Sequence, residues 1–469
     1  MIKIDDKLKP EDLAPNVAYV FENAQRATRL LSGRRRPEEG APVFTIDGRY
    51  TSRGWTEWTE GFQFGNAICI FDVTGDADFL RVGRDGTVAR MATHVSHIGV
   101  HDHGFNNVST YGNLLRLMSE GRIEENPWER RFYELALKVS GAVQAARWTT
   151  LPDGLGFIHS FNGPHSLFSD TVRSLRSLAV GHKLGHVLMG EQDARISLMK
   201  RLVQHAEATA RYNVYFGDGR DSYDVRGRVV HESIFNVTSG AYRCPSTQQG
   251  YSPFSTWTRG LSWVLSGYPE QLEFLETLSE DELPPDVFAG VPGIANRRDL
   301  QMRFLETARA AADFYIANTP VDGVPYWDTG APNIEKIDRY LDKPADPFNE
   351  HEPVDSSAAA ICAQGLIRLG RYMIAHGETD AGGRYLGAGL TTARTVFSDP
   401  YVATEPDHEG ILLHSVYHRP NGWDNVPAGR SVPCGESCMW GDYHALELGL
   451  LVKRLAEDGP YPTFFAGIR

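Results

Sequence analysis

Cysteine is scarce in this 469-residue chain and odd in number, five in all. A disulfide framework is therefore not expected to carry the fold, and a reducing, cytoplasmic setting is the simplest reading. No run of about 18 apolar residues occurs, so no membrane-spanning helix is expected. The opening Met-Ile-Lys-Ile-Asp-Asp lacks the apolar stretch of a secretory leader. Basic residues are outnumbered, 47 Lys and Arg against 60 Asp and Glu, for a formal net charge of −13. That balance argues against nucleic acid, or a long polyanion, lying across the surface. Low-complexity tracts and Pro- or Ser-rich linkers are missing too, so 1–469 reads as one domain. There is no GxSxG elbow, no P-loop lysine motif and no GxGxxG between a strand and a helix. Serine-hydrolase, nucleotide and dinucleotide readings are weakened accordingly.

What the chain has in quantity is helix. Amphipathic stretches closed by Gly, Asn or Pro recur at about 11–32, 56–73, 78–95, 104–119, 127–148 and 166–190. They continue at about 192–213, 257–269, 297–317, 354–377, 379–397 and 438–456. Short and long connections alternate, which predicts helical hairpins wound into a ring, because antiparallel neighbours need only short loops. Two strand candidates, 223–237 and 410–418, are short enough to be hairpins set in loops. The longest stretches without helical pattern are about 214–256, 318–353 and 398–437. They carry Trp, Tyr, His and Asp rather than Ser and Gly, the composition of functional loops.

The second helix of each predicted pair starts in an unusual way. The starts read Trp55-Thr-Glu-Trp58-Thr-Glu60, His101-Asp102-His103, His165 to Asp170, Gln249 through Trp257 and Arg259 to Trp263, Asp355-Ser-Ser, and Trp440-Gly-Asp442. If alternate helices line the inside of a ring, these ends meet on one rim. Capping is the ordinary use of Asp, Ser and Thr at a helix start, and it accounts for the Ser, the Thr and Asp355. It does not account for Trp accompanied by Asp, His or Arg.

Trp58, Trp257 and Trp263 beside polar residues suit a carbohydrate site, where sugar C–H faces stack on rings; core packing is the alternative for any one of them. Asp102 and Asp170 are the natural acid/base pair, since a neighbouring carboxylate raises a carboxyl pKa towards neutrality; two N-caps are the alternative. The planar fork of Arg259 suits a carboxylate. Arg173 shares a helix face with Asp170. With Arg176 it would either meet a charged substrate group or form a surface ion pair, and Arg173 is carried here as a substrate contact. His231 and Gln249 are orienting candidates. His94, His97, His101 and His103 invite a metal reading, but their spacing matches no HExxH-type face, and packed or solvated histidine is the expectation. Cys434 and Cys438 have no second ligand pair close in sequence, so no structural metal is expected there.

At these residues the sequence resembles the unsaturated glucuronyl hydrolases, glycoside hydrolase family 88. The most specific block is Gln249-Gly-Tyr-Ser-Pro-Phe-Ser-Thr-Trp257-Thr-Arg259-Gly-Leu-Ser-Trp263. Trp58-Thr-Glu-Gly-Phe, His101-Asp-His-Gly-Phe, Asp170-Thr, Tyr326-Trp-Asp, Asp355-Ser-Ser-Ala and Trp440-Gly-Asp-Tyr follow the family's order from about residue 55 to 445. The resemblance implies an all-α (α/α)6 barrel, a six-hairpin toroid with short β-hairpins in its loops. It implies Asp170 as general acid/base, Asp102 as its assistant, and Trp58, His231, Gln249, Arg259 and Trp263 as substrate contacts. Four departures are expected to lie near the pocket and to bear on the substrate. They are His103, the pair Pro253-Phe254, the arginines 173 and 176, and about twenty extra residues between Asp328 and Asp355.

The implied substrate is an oligosaccharide ending in a 4,5-unsaturated uronic acid, as a polysaccharide lyase leaves it. Protonation at C4 and attack of water at C5 would give a hemiketal that opens and expels the remaining saccharide, with no metal or organic cofactor. The alternatives are a related unsaturated rhamnogalacturonyl hydrolase, a barrel acting on another, sulfated uronide, and a non-catalytic sugar-binding barrel. A metal-dependent lyase or isomerase using the His94–His103 run is a further class. Neither the linkage nor the oligomeric state is written in the sequence.

Overall fold

Two kinds of helix alternate along the chain. The computed structural model describes residues 1–53 and 57–468. In order, the first helices are α1 (Ala14–Arg34), α2 (Glu60–Thr74), α3 (Ala77–Arg90) and α4, which starts as His103–Asn107 and runs through a π-helical turn, Val108–Gly112, into Asn113–Ser119. Then come α5 (Pro127–Ala146), α6 (Thr171–Ser174 with Arg176–Lys183), α7 (Leu198–Tyr212) and α8 (Thr258–Glu276). The last four are α9 (Arg297–Asn318), α10 (Ser356–Ala375), α11 (Thr379–Val396) and α12 (Met439–Ala456). Each predicted helix has its counterpart. Trp55 and Thr56, part of the expected first rim segment, lie outside the described residues.

Among the odd-numbered helices α5 shows a single buried stripe, while α7 and α11 are buried over continuous runs, Leu202–Ala210 and Gly387–Ala393. On α5 the buried residues are Tyr133, Ala136, Leu137, Ser140, Gly141, Gln144 and Ala145, the spacing of one helical face. The even-numbered helices are buried nearly all round: α10 is covered from Ser356 through Gly370. Such a helix has to lie inside. Packing follows the order α2, α4, α6, α8, α10, α12 and back to α2, with odd-numbered helices outside, which is the expected (α/α)6 barrel. Most buried apolar residues, from Ile2 to Phe465, form one large cluster, and Trp257, Trp327, Ala331 and Val416 form a small separate one. No described helix is long and apolar enough to cross a membrane.

Inner helices approach closely where side chains are smallest. A Cβ at Gly104 of α4 would lie 2.3 Å from the Ser174 carbonyl oxygen of α6, and one at Gly365 of α10 would lie 2.3 Å from that of Leu265 on α8. Pro269, expected to stop α8, sits inside it. It has no N–H to give the Leu265 carbonyl, and the backbone of α10 closes on that carbonyl at Gly365. Burial thus carries α8 on to Glu276, past the proline.

Strands are short and serve as braces. β1 (Pro42–Ile46) and β2 (Arg49–Ser52) form a hairpin, as do β3 (Trp148–Thr150) and β4 (Gly156–Ile158). β5 (Ser166–Phe168) is the outer strand of a three-stranded antiparallel sheet, while β6 (Val187–Met189) and β7 (Arg195–Ser197) pair with each other. β8 (Glu232–Phe235) lies between β5 and β9 (Tyr242–Ser246). Two expectations change. Residues 166–168 and 187–189 are strand, so the predicted helix 166–190 shortens to α6, because pairing with the distant β8 at one end and with the adjacent β7 at the other overrides local helical pattern. Of the strand candidates, 223–237 contributes Glu232–Phe235 and a bridge from Val229 to Val214, and 410–418 makes a single bridge, Leu412 to Val402.

Gly365→Ala should destabilise the fold by about 1–3 kcal/mol, because backbone and not a movable side chain fills the space. Urea unfolding would read this as a lower midpoint with an unchanged slope.

Candidate active site

The segment before α4 is held by α5. Gln144 Nε2 donates to the His101 carbonyl (2.7 Å), and its Oε1 accepts from the His103 amide (3.3 Å), so one buried side chain grips both peptides flanking Asp102. Arg147 donates to the carbonyls of Ser160 (2.7 Å), His159 (3.2 Å) and Ile98, tying the loop after β4 to the same segment. His103 turns away: its Nδ1 meets Ser140 Oγ at 3.0 Å and its Nε2 donates to the His97 carbonyl at 2.8 Å. Burial pushes His103 down to about 4, so it is neutral. His94 bonds Glu60 Oε2 at 2.9 Å. The histidine run is therefore dispersed over separate partners.

Asp102 and Asp170 both occupy N-cap positions, of α4 and α6, and neither carboxylate makes a capping hydrogen bond. Asp355, at the start of α10, does cap: its Oδ1 accepts from the Ser357 (3.1 Å) and Ala358 (3.4 Å) amides. The two uncapped carboxylates line a cavity of about 490 Å³ and are each 7% exposed. Aromatic walls surround them, with Trp58, Phe105, Trp257, Trp263, Tyr417 and Trp423 among the lining residues. Trp58 stacks on Trp440 (5.1 Å between centroids), and Trp263 packs on Phe105 (4.7 Å).

Between the carboxylates stands His101. Its Nε2 is 3.4 Å from Asp170 Oδ1 and 3.9 Å from Asp102 Oδ1, and the residue is 1% exposed. Burial disfavours its charge, but the two carboxylates outweigh burial and raise its pKa. Burial likewise opposes ionisation of Asp170, yet the contact with His101 and the nearby His231 hold that carboxyl below its usual range. Asp102 is pushed up to about 6, first by burial and then by the charge of Asp170, with His101 opposing. The expected order is thus reversed: Asp102, not Asp170, is the carboxyl with the raised pKa.

The other predicted residues divide. Gln249, Arg259, Trp58 and Trp263 line the cavity. The two Nη atoms of Arg259 are fully used, donating to Asp355 Oδ2 (2.8 Å), the Val416 (2.6 Å) and Tyr417 (2.9 Å) carbonyls, and Gln249 Oε1 (3.0 Å). Arg259 thus acts on the cavity through Gln249. His231 lies just behind the wall, set beside Asp170 by the β5–β8 pairing, with the Ser169 amide on its carbonyl at 2.9 Å. Its Nδ1 accepts from the Gln248 (3.0 Å) and Gln249 (3.3 Å) amides, so Nε2 carries the hydrogen, and that buried N–H has no acceptor among the described residues.

Arg173 is a correction. It is 0% exposed and does not line the cavity. Its Nε lies 2.5 Å from Glu270 Oε2 and its Nη2 3.0 Å from Glu447 Oε2, while Arg176 Nη1 reaches Glu447 Oε1 at 3.3 Å. The pair is neither a substrate contact nor a surface ion pair; it is an interior one. None of the four departures lines the cavity: His103 faces α5, and Phe254 stacks on Tyr223 (4.4 Å) with both rings exposed. Sequence reasoning missed His101 as a site residue, with Phe161, Tyr417, His418 and Trp423. Three of these lie in the 398–437 segment, whose aromatic composition marked it as functional without singling out a residue.

No family model matches the chain. It is 26% identical over 413 residues to the unsaturated glucuronyl hydrolase of a Bacillus species, covering 87% of this chain and 89% of that one. It is 24% identical over 394 residues to the unsaturated glucuronyl hydrolase of Formosa agariphila, covering 83% and 78%. Over most of its length the chain is thus similar to unsaturated glucuronyl hydrolases. The unsaturated chondroitin disaccharide hydrolase of Streptococcus pyogenes is 23% identical over 464 residues, 97% of this chain and 94% of that one. The crystal structure of the Bacillus unsaturated glucuronyl hydrolase shares the fold, with a TM-score of 0.67 at 22% identity, over 93% of this chain and 97% of that one.

The Asp102 shift makes a stability prediction. Its folded pKa of about 6 exceeds the ordinary 3.8, so the folded state binds the extra proton between those values and stability is lost as pH rises through the interval. Asp102→Asn, which cannot ionise, should gain about 2–3 kcal/mol relative to the parent between pH 4 and pH 7. Paired urea titrations at the two pH values measure that difference.

Proposed function

We propose that this protein is a glycoside hydrolase that releases a 4,5-unsaturated uronic acid from the non-reducing end of lyase-generated oligosaccharides by hydrating the C4=C5 bond. The observation that supports this reading most directly is the pair of helix-start aspartates that forgo capping and turn into an aromatic-walled cavity. The substrate's double bond is a vinyl ether conjugated to a carboxylate. Asp170 delivers a proton to C4, leaving an oxocarbenium-like cation at C5, and as a carboxylate it then takes a proton from the attacking water. Asp102, neutral through much of the acidic range, spares that cation's precursor a second negative charge beside the uronate carboxylate. The hemiketal opens unaided. No displacement occurs at the anomeric carbon, so the carboxylate separations that diagnose retaining and inverting glycosidases do not apply. Neither a metal nor an organic cofactor is called for.

Substrate contacts are assigned to Trp58 and Trp263 for stacking and to Gln249 for hydrogen bonding, with Arg259 and His231 orienting them. Arg173 and Arg176 are buried away from the cavity, so they lend no support to a sulfated substrate. A reducing compartment fits five free cysteines, of which Cys434 and Cys438 are buried close in sequence yet unpaired.

Asp170→Asn should lower kcat by about 100- to 10,000-fold while KM and fold are kept. Loss of the enoate's ultraviolet absorbance with lyase-generated disaccharides is the assay. Near-normal turnover in that variant would remove Asp170 from the mechanism, and an unchanging absorbance with every unsaturated uronide offered would sink the hydration reading.

A further inference from the structure

We infer that His101 is the proton-holding partner of Asp170, a positioning residue that stores on its ring the proton Asp170 delivers to the substrate. In its catalytic part this rests on the hydration reading; the location of the proton does not.

The geometry carries it. The ring of His101 is sealed from solvent, and its Nε2 faces Asp170 Oδ1 at 3.4 Å and Asp102 Oδ1 at 3.9 Å. Phe161 stacks on one side of it (5.9 Å) and Phe168 meets it edge-on (5.5 Å), so the walls offer no competing acceptor. Neither His101 ring nitrogen nor Asp170 Oδ1 has a stronger hydrogen bond elsewhere among the described residues. The backbone of His101 is pinned through its carbonyl by Gln144. A buried imidazole held against two carboxylates, with nothing else to bond, is placed to be a cation.

Every other charged or titratable neighbour is consistent with one mobile proton at this point. Arg147, just after α5, is the opposing cation. His159, after β4, and His205, on α7, are driven down to about 4 and about 3 by burial, and so is His231, before β8, to about 4. All three are neutral near pH 7 and do not compete for the proton.

The step balances. Before substrate enters, Nε2–H of the imidazolium faces the Asp170 carboxylate. Entry of the uronate and loss of water favour the neutral pair: the N–H bond breaks and an O–H bond forms on Asp170. That proton passes to C4. Water adds at C5 and gives a proton to Asp170, which returns it to Nε2, so each turnover consumes one water and leaves His101 as it began.

Two measurements on the full chain test this. In ¹⁵N-histidine NMR without substrate, one imidazole should titrate above the ordinary histidine range, and its pKa should fall by about one unit or more in Asp170→Asn. In His101→Asn, kcat at pH 7 should fall about 100-fold, and the alkaline limb of the pH–rate profile should move at least about one unit towards acid, because the proton must then be kept on a carboxyl. A merely structural role would lower kcat equally at every pH and leave the limb in place. Histidines that all titrate at or below the ordinary value would overturn the inference even if turnover is normal. If no unsaturated uronide is hydrated, the proposed activity fails, while the NMR titration still decides where the proton sits. Should His101→Asn not fold, the comparison of the parent with Asp170→Asn stands alone.

Discussion

The barrel is organised around four buried charges. Arg173 and Arg176 of α6 face Glu270 of α8 and Glu447 of α12, and Arg176 Nε also donates to the Gly104 carbonyl of α4 at 2.6 Å. A buried ion is costly unless a partner meets it in good geometry. Four inner helices are thereby locked in height against one another. Glu447 shows the strength of the arrangement: burial pushes its carboxyl up, yet the two arginines hold it well below the usual range. Asp170 lies three residues before Arg173, and Asp102 two before Gly104. The interior ion cluster therefore sets the level at which both carboxylates reach the cavity.

Above that layer the chemistry is held by polar groups that are incompletely satisfied. Ser169 Oγ, Asp170 Oδ1, Thr171 Oγ1, His101 and His231 Nε2 are buried without hydrogen-bond partners among the described residues, and they gather at one end of α6 and the sheet beside it. Unmet polar groups destabilise a fold. Five residues with such groups lie beside Asp102, whose own pKa burial raises to about 6.

Most of the architecture was legible because helical periodicity is a local signal, and the inner helices are periodic or uniformly apolar over many turns. It failed where partners distant in sequence decide. Residues 166–168 read as helix until β8, more than sixty residues on, supplies a strand to pair with. Pro269 reads as a stop until the backbone of α10 covers the carbonyl it leaves free. In the site, Trp58, Gln249, Arg259, Trp263 and both aspartates were found because aromatic and charged types coincide at helix starts. Arg173 was misplaced because spacing tells which face of α6 it shares with Asp170 but not that the helix points it down the barrel axis. His101 escaped attention as one histidine among four, since only the fold separates the one between two carboxylates from those facing α5 and Glu60.

The uncapped helix starts have a consequence of their own. The first amides of an α-helix point out of its end and carry a partial positive charge. Asp102, Asp170 and Trp257, the N-cap residues of α4, α6 and α8, all line the cavity, so three positive helix ends lie at its wall, although the His103, Gly104 and Thr258 amides are already bonded to Gln144, Ser174 and the Trp327 carbonyl. Arg259, the cation in the wall, is already matched by Asp355. The helix ends therefore add a fixed positive field, which neither titrates nor swings away. That field fades within about one helical turn. A negative group is favoured at one depth of the cavity and goes unrecognised a sugar further out, so the barrel is built to sense the charge at the end of a chain rather than charge spread along it.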